Sequence, residues 1–160
     1  MIKDKILNLL KQNNFEFKYM EHEPTPTSAD SARIRGTRIE QGAKAIILKS
    51  KKTGKNYMLV LSGHLKINFK AIESRLKEIY GVKEELTFEN PDVIFEKYGV
   101  KIGGVPPFGE LMGIETYYDQ NVFSNEVIDF NCGSQTCSVE MKAEDYRKII
   151  NQDNIGEFSK

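Results

Sequence analysis

The chain has no tryptophan and only two cysteines and two histidines among its 160 residues. Cys132 and Cys137 stand as C-x4-C, whereas structural zinc sites usually take four Cys/His ligands and redox pairs favour C-x2-C. Neither a metal nor a disulfide is indicated, and both thiols are expected as small, semi-buried strand residues in a reducing compartment. His22 and His64 have no orienting partner visible along the chain, so each is read as a turn or surface residue. No stretch approaches the roughly 18 apolar residues that span a bilayer, and the start "MIKDKILNLLKQNNF" lacks the apolar core of a signal peptide. A cytoplasmic protein with no membrane partner is expected. An excess of one charge is lacking too, because 23 Lys and Arg balance 23 Asp and Glu. Bulk electrostatics therefore imply no DNA partner, and any RNA contact must be small or local. Phosphate-binding G-x-x-x-x-G-K-[ST], nucleophile-elbow G-x-S-x-G and H-E-x-x-H motifs do not occur.

What is present reads as one domain spanning residues 1–160, with no internal repeat or linker. One-sided apolar spacing predicts a helix over Ile2 to Gln12, and alternation in "FEFKYM" predicts a half-buried strand. Thr27 followed by Asp30 fits a capping box for a short helix from Ser28 to Arg35, with Gly36 as its stop. "KAIILKS" and "YMLVLS" flank "KKTGKN" as a hairpin at the centre of a sheet. Asn68 caps a helix whose Ile72, Leu76 and Ile79 face inward, ended by Gly81; Asn90-Pro91 opens another, ended by Gly99. Three β-rich runs, "LMGIETYY", "NEVIDFN" and "CSVEM", precede a final helix near Glu144 to Asn151. Helices and strands interleave irregularly, which predicts an α+β fold with a curled, mixed, mostly antiparallel sheet flanked by helices.

Two features invite chemistry. The stretch "KIGGVPPFGE" sets Gly103, Gly104, Val105, Pro106 and Pro107 in a run that cannot lie inside a helix or strand, so it is a shaped loop, either a connector or a binding loop. Lys44 opens the apolar strand "KAIIL", where its ammonium either snorkels to solvent or points into a cleft toward an anion or oxyanion.

Three segments, "EHEPTPTSADSARIRG...GAKAIILKS", "YGVKIGGVPPFG" and "DFNCGSQTCSVEM", occur in the order found in the YbaK family, also called the prolyl-tRNA-synthetase-associated or aminoacyl-tRNA editing domain. The chain resembles such a domain over most of its length. The resemblance implies a single α+β domain that hydrolyses mischarged aminoacyl-tRNA without a metal or organic cofactor. It implies contact with the acceptor end of tRNA and, as a further partner, an aminoacyl-tRNA synthetase.

On the same resemblance the family's essential lysine falls on Lys44 and its G-x-x-x-P loop on Gly103 to Pro107. Its pocket threonine falls on Thr27, and its late turn on Asn131, Cys132, Gly133 and Ser134. The loop would bring backbone N–H groups to the substrate's carbonyl and α-amino end. Lys44 would hold the phosphate or ribose of the terminal adenosine, or stabilise developing charge. The nucleophile would be water or, for a cysteinyl ester, the substrate's own thiol. Family members differ in removing alanine, cysteine, serine or other residues. The competing expectation is a non-catalytic tRNA-end or nucleotide-binding module with the same fold.

Overall fold

A computed structural model describes the whole chain, Met1 to Lys160. The first helix, α1 (Ile2–Gln12), buries Ile6 and Leu10, four residues apart on one face. Strand β1 (Phe17–Glu21) follows, then α2 (Ser28–Arg35). The Thr27 side chain accepts from the Asp30 N–H at 3.1 Å, and Gly36 closes α2 at φ 70°, a left-handed conformation that glycine adopts without strain.

Strands β2 (Ala43–Ser50) and β3 (Asn56–Ser62) form the expected antiparallel hairpin, with Ile47 opposite Met58. Every residue of β3 is buried, and its period of two serves two cores. Met58 and Val60 join the larger core with Ile6, Leu10, Phe130 and Tyr146; Tyr57, Leu59 and Leu61 join the smaller one with Ile72, Leu76 and Phe158. Each such side chain contributes about 1.5–3 kcal/mol by leaving water. Helix α3 (Phe69–Tyr80) is capped by Asn68 and ended by Gly81 as expected, and it buries Ile72 and Leu76. Ile79 differs from expectation: it is 49% exposed, because the last turn runs past the edge of the smaller core.

Strand β4 (Leu86–Phe88) pairs with β2, and α4 (Pro91–Tyr98) opens on its proline and ends at Gly99. Then come β5 (Glu115–Asp119), β6 (Val127–Asn131), β7 (Cys137–Lys142), α5 (Ala143–Lys148) and β8 (Ile155–Gly156). The last helix stops three residues short of the expected Asn151. No helix is long and apolar enough to cross a membrane.

The α+β expectation holds, with the strands grouped into two sheets rather than one. One is antiparallel, in the order β1-β7-β6; the other is mixed, in the order β4-β2-β3-β5-β8, with β3-β5 and β5-β8 parallel. A single parallel bridge between Gly42 and Asp129 joins them where β2 begins against the side of β6. A groove forms at that seam.

Candidate active site

The seam between the sheets holds a cleft of about 190 Å³. Its walls come from α2 and the segment before it, from the start of β2, from the loop at Gly103, and from β6. Gly42 is the extended residue just before β2 and lies two residues from Lys44, so the two share a face, and the Gly42 bridge sets that face beside Asp129. A Cβ on Gly42 would lie 3.8 Å from Asp129 Oδ1 and 3.4 Å from the Ile39 carbonyl, ordinary contact distances that place this backbone directly against the Asp129 side chain.

Lys44 lines this cleft, and its ammonium donates to the carbonyls of Gly63 at 3.1 Å and Leu65 at 2.6 Å. It therefore does not snorkel freely. An ammonium has three N–H donors, and the third makes no hydrogen bond within the chain. Burial, and then the nearby positive charge of Lys66, lower the lysine's pKa from its ordinary value near 10.5.

Opposite Lys44 lies a buried ionic network. Arg35, the last residue of α2, pairs with Asp129 on β6, and their side chains are 2% and 1% exposed. The same guanidinium donates to Asn131 Oδ1 at 2.7 Å and, through Nε, to Ser138 Oγ at 2.7 Å. Ser138 Oγ lies 2.6 Å from His22 Nε2, whose Nδ1 is 2.7 Å from the Glu23 carbonyl. The tautomer with its proton on Nδ1 completes this chain of bonds: Nδ1–H donates to the carbonyl, Ser138 donates to Nε2, and Arg35 donates to Ser138. Asn131 donates onward to Thr25 Oγ1 at 3.3 Å and to the Ser134 carbonyl at 2.9 Å. One atom stays unmatched. Asp129 Oδ2 is buried with no donor in the protein, although Asp129 lines the cleft.

Of the residues singled out from the sequence, Lys44, Thr27, Gly103, Val105 and Asn131 come together around this cleft. Thr27 is at the rim with its hydroxyl occupied, since it donates to Asp30 Oδ2 at 2.7 Å while accepting from the Asp30 N–H. Gly104, Pro106 and Pro107 do not line the cleft; they are buried behind it. The Gly104 carbonyl accepts from the Gly133 N–H at 3.1 Å, and the Pro107 carbonyl accepts from the Tyr146 hydroxyl at 2.5 Å. Gly104 is needed for backbone packing, because a Cβ there would sit 2.7 Å from Ser134 Cα. Cys132, Gly133 and Ser134 face a different cavity, on the side of α1. The N–H groups of Gly103 and Val105 make no hydrogen bond within the chain.

Sequence reasoning missed Arg35, Asp129, Thr25, Ser138 and the role of His22. An arginine in the last turn of a short helix looks like a dipole-compensating surface charge. In "VIDFN" the alternation sets Asp129 on a polar face that, without knowledge of what covers it, reads as solvent-facing.

Comparisons with known proteins agree with this architecture. Residues 22–149 match the model of the family described as the aminoacyl-tRNA editing domain. The Multifunctional Ser/Thr-tRNA deacylase ProXp-y of Escherichia coli (strain K12) is 29% identical over 148 residues, covering 91% of this chain and 86% of that protein. The Prolyl-tRNA editing protein ProX of Acetoanaerobium sticklandii is 21% identical over 152 residues, covering 92% and 90%. Among solved structures, the hypothetical protein APE2540 superposes with a TM-score of 0.80 at 20% identity, covering 98% of this chain and 99% of the other. A crystal structure described provisionally as a trans-editing enzyme for prolyl tRNA synthetase superposes with a TM-score of 0.76 at 19% identity, covering 99% and 96%. The family match spans well over half the chain and includes every residue that lines the cleft, so this protein belongs to the aminoacyl-tRNA editing domain family.

Proposed function

We propose that the cleft between the sheets hydrolyses the ester of mischarged aminoacyl-tRNA in trans, in a cytoplasmic setting, with Lys44 as its catalytic residue. The observation that carries this reading is the pairing of an ammonium that has a spare donor with a buried carboxylate oxygen that has no donor, in one small cleft. An aminoacyl ester supplies the complement of both. Its α-ammonium satisfies Asp129 Oδ2. Its carbonyl oxygen, or a phosphate or ribose oxygen of the terminal adenosine, takes the third N–H of Lys44.

The free N–H groups of Gly103 and Val105 are suited to the oxyanion that forms when the carbonyl is attacked. No cysteine or histidine lines the cleft, and in keeping with the family resemblance the attacking group is taken as a positioned water or, for a cysteinyl ester, the substrate's own thiol. A volume of about 190 Å³ is below the roughly 300–1,000 Å³ of pockets that enclose drug-sized ligands, which suits a small aminoacyl group inside with the terminal nucleotide at the mouth.

Ser28 and Ser31 line the same space with hydroxyls that bond to nothing in the chain, which favours serine among the small amino acids. The name of the Escherichia coli relative, a Ser/Thr-tRNA deacylase, points the same way. Such correction has a physical basis, because one methylene gives a synthetase only about 1–3 kcal/mol of discrimination. The test is deacylation of a panel of tRNAs charged with serine, threonine, alanine or cysteine. Turnover of at least one, fastest with a small side chain, is expected. Tight binding of acceptor-end RNA with no turnover of any member would instead make the protein a tRNA-end binding module.

A further inference from the structure

The second cavity, about 790 Å³ on the side of α1, is lined by both cysteines together with Lys3, Tyr19, Gly133 and Ser134. The proposed hydrolysis uses none of these residues. Cys132 and Cys137 are opposite one another across the β6–β7 turn: the register that pairs Asn131 with Ser138 continues by one step, and the Cys132 N–H donates to the Cys137 carbonyl at 3.4 Å. Facing residues in such an antiparallel pair have Cα atoms about 5.5 Å apart, within the roughly 4.4–6.8 Å that a disulfide bridges. Both thiols are free.

We propose that Cys137 and Cys132 form a hydroperoxide-reactive site, in which Cys137 is the attacking thiol and Cys132 the resolving one, closing to an intrachain disulfide. Three groups favour negative charge on Cys137. The neighbouring Cys132 thiol lowers the Cys137 pKa below that of an ordinary thiol, against the opposing effect of burial. The Ser134 hydroxyl is 3.5 Å from the same sulfur. Lys3 contributes a nearby positive charge, its ammonium 5.7 Å from the Tyr19 ring centroid on the cavity wall. The Cys132 thiol is shifted the other way, chiefly by the Cys137 side chain beside it and then by burial.

The chemistry balances in two steps. The Cys137 thiolate attacks one oxygen of the hydroperoxide, the O–O bond breaks, and with one proton taken up the products are Cys137 sulfenic acid and an alcohol, or water from hydrogen peroxide. The Cys132 sulfur then attacks the sulfenic sulfur, forming the S–S bond and expelling the hydroxyl, which leaves as water with the Cys132 proton. Each sulfur is oxidised by one electron, and the peroxide is reduced by two.

The test uses the full chain, pre-reduced, freed of reductant and treated with hydrogen peroxide at pH 7, then read by intact mass and non-reducing peptide mapping. The expected result is loss of the mass of two hydrogens, one peptide joining Cys132 to Cys137, and full reversal by dithiothreitol. Cys132→Ser should stop at a sulfenic acid on Cys137 that dimedone traps, whereas Cys137→Ser should leave Cys132 unmodified at the same dose. If either variant fails to fold by circular dichroism, the wild-type mapping decides alone. A wild-type chain that stays reduced, bridges only between molecules, or is oxidised first at Cys132 overturns the proposal.

Discussion

Arg35 and Asp129 form an ion pair almost wholly removed from water, and yet the second oxygen of Asp129 is given no donor by the protein. A buried carboxylate oxygen without a partner costs free energy, and this one belongs to a residue on the cleft wall.

Removing the guanidinium should be severe. Arg35→Ala strands Asp129 as an unpaired buried charge and removes the donors to Asn131 and Ser138. A loss of about 3–5 kcal/mol is expected in urea unfolding. Arg35→Lys should recover only part, because a point ammonium cannot serve three acceptors in the guanidinium's fixed geometry. A loss below about 1 kcal/mol for Arg35→Ala would show that the pair is not what holds α2 to β6.

If the unmatched oxygen receives the substrate's α-ammonium, blocking that amine should abolish the benefit of Asp129. Wild-type protein should process N-acetylated aminoacyl-tRNA about ten- to hundredfold more slowly than the free form, the equivalent of about 1.5–3 kcal/mol for a charged hydrogen bond. Asp129→Asn, assayed where it is folded, should slow the free form and leave the acetylated one little changed. Equal sensitivity of both substrates to Asp129→Asn would place the amine elsewhere.

Gly104 separates loop packing from chemistry. A Cβ there meets the Ser134 backbone at 2.7–3.1 Å, and backbone cannot move aside as a flexible side chain does. Gly104→Ala should therefore destabilise the protein by about 1–3 kcal/mol, the usual cost of overpacking. Thermal unfolding checks it; an unchanged midpoint would mean that the 131–136 turn yields easily.

The pH dependence of stability should carry a signature of Lys44. Its folded-state pKa lies below the ordinary value near 10.5, so between the two the unfolded chain binds more protons. Wild-type stability therefore gains as pH rises through that window, because the cost of burying a charged ammonium is relieved. Lys44→Met lacks this gain. Chemical denaturation of both at neutral pH and near pH 10 should show wild type improving relative to the variant; a constant difference would mean that Lys44 is no harder to charge in the fold than out of it.

Much of the fold was legible because helix boundaries are written in single residues. Thr27, Asn68 and Asn90-Pro91 mark starts, and Gly36, Gly81 and Gly99 mark stops, each by local backbone chemistry that tertiary context did not override. The short strands β4 and β8, of three and two residues, hold no periodicity to read and exist because a neighbouring strand offers an edge. For the cleft, position left open a snorkelling Lys44 and a connector at Gly103, and the family resemblance is what singled both out as site residues. Arg35 and Asp129 were hidden, because each alone is an ordinary surface charge and only the docking of α2 on β6 makes them a buried pair.

The central claim is that the Lys44 ammonium acts on the ester. Single-turnover deacylation of a mischarged tRNA that the wild type hydrolyses, with enzyme saturating, measures this directly. Lys44→Ala should slow the step at least ten- to hundredfold, the equivalent of losing a charge-assisted contact of about 1.5–3 kcal/mol. Circular dichroism should show the fold retained, since the lost bonds are to two loop carbonyls. Lys44→Arg should restore little of the rate, because a planar fork cannot occupy the ammonium's place between the Gly63 and Leu65 carbonyls. A wild-type rate in folded Lys44→Ala would contradict the account.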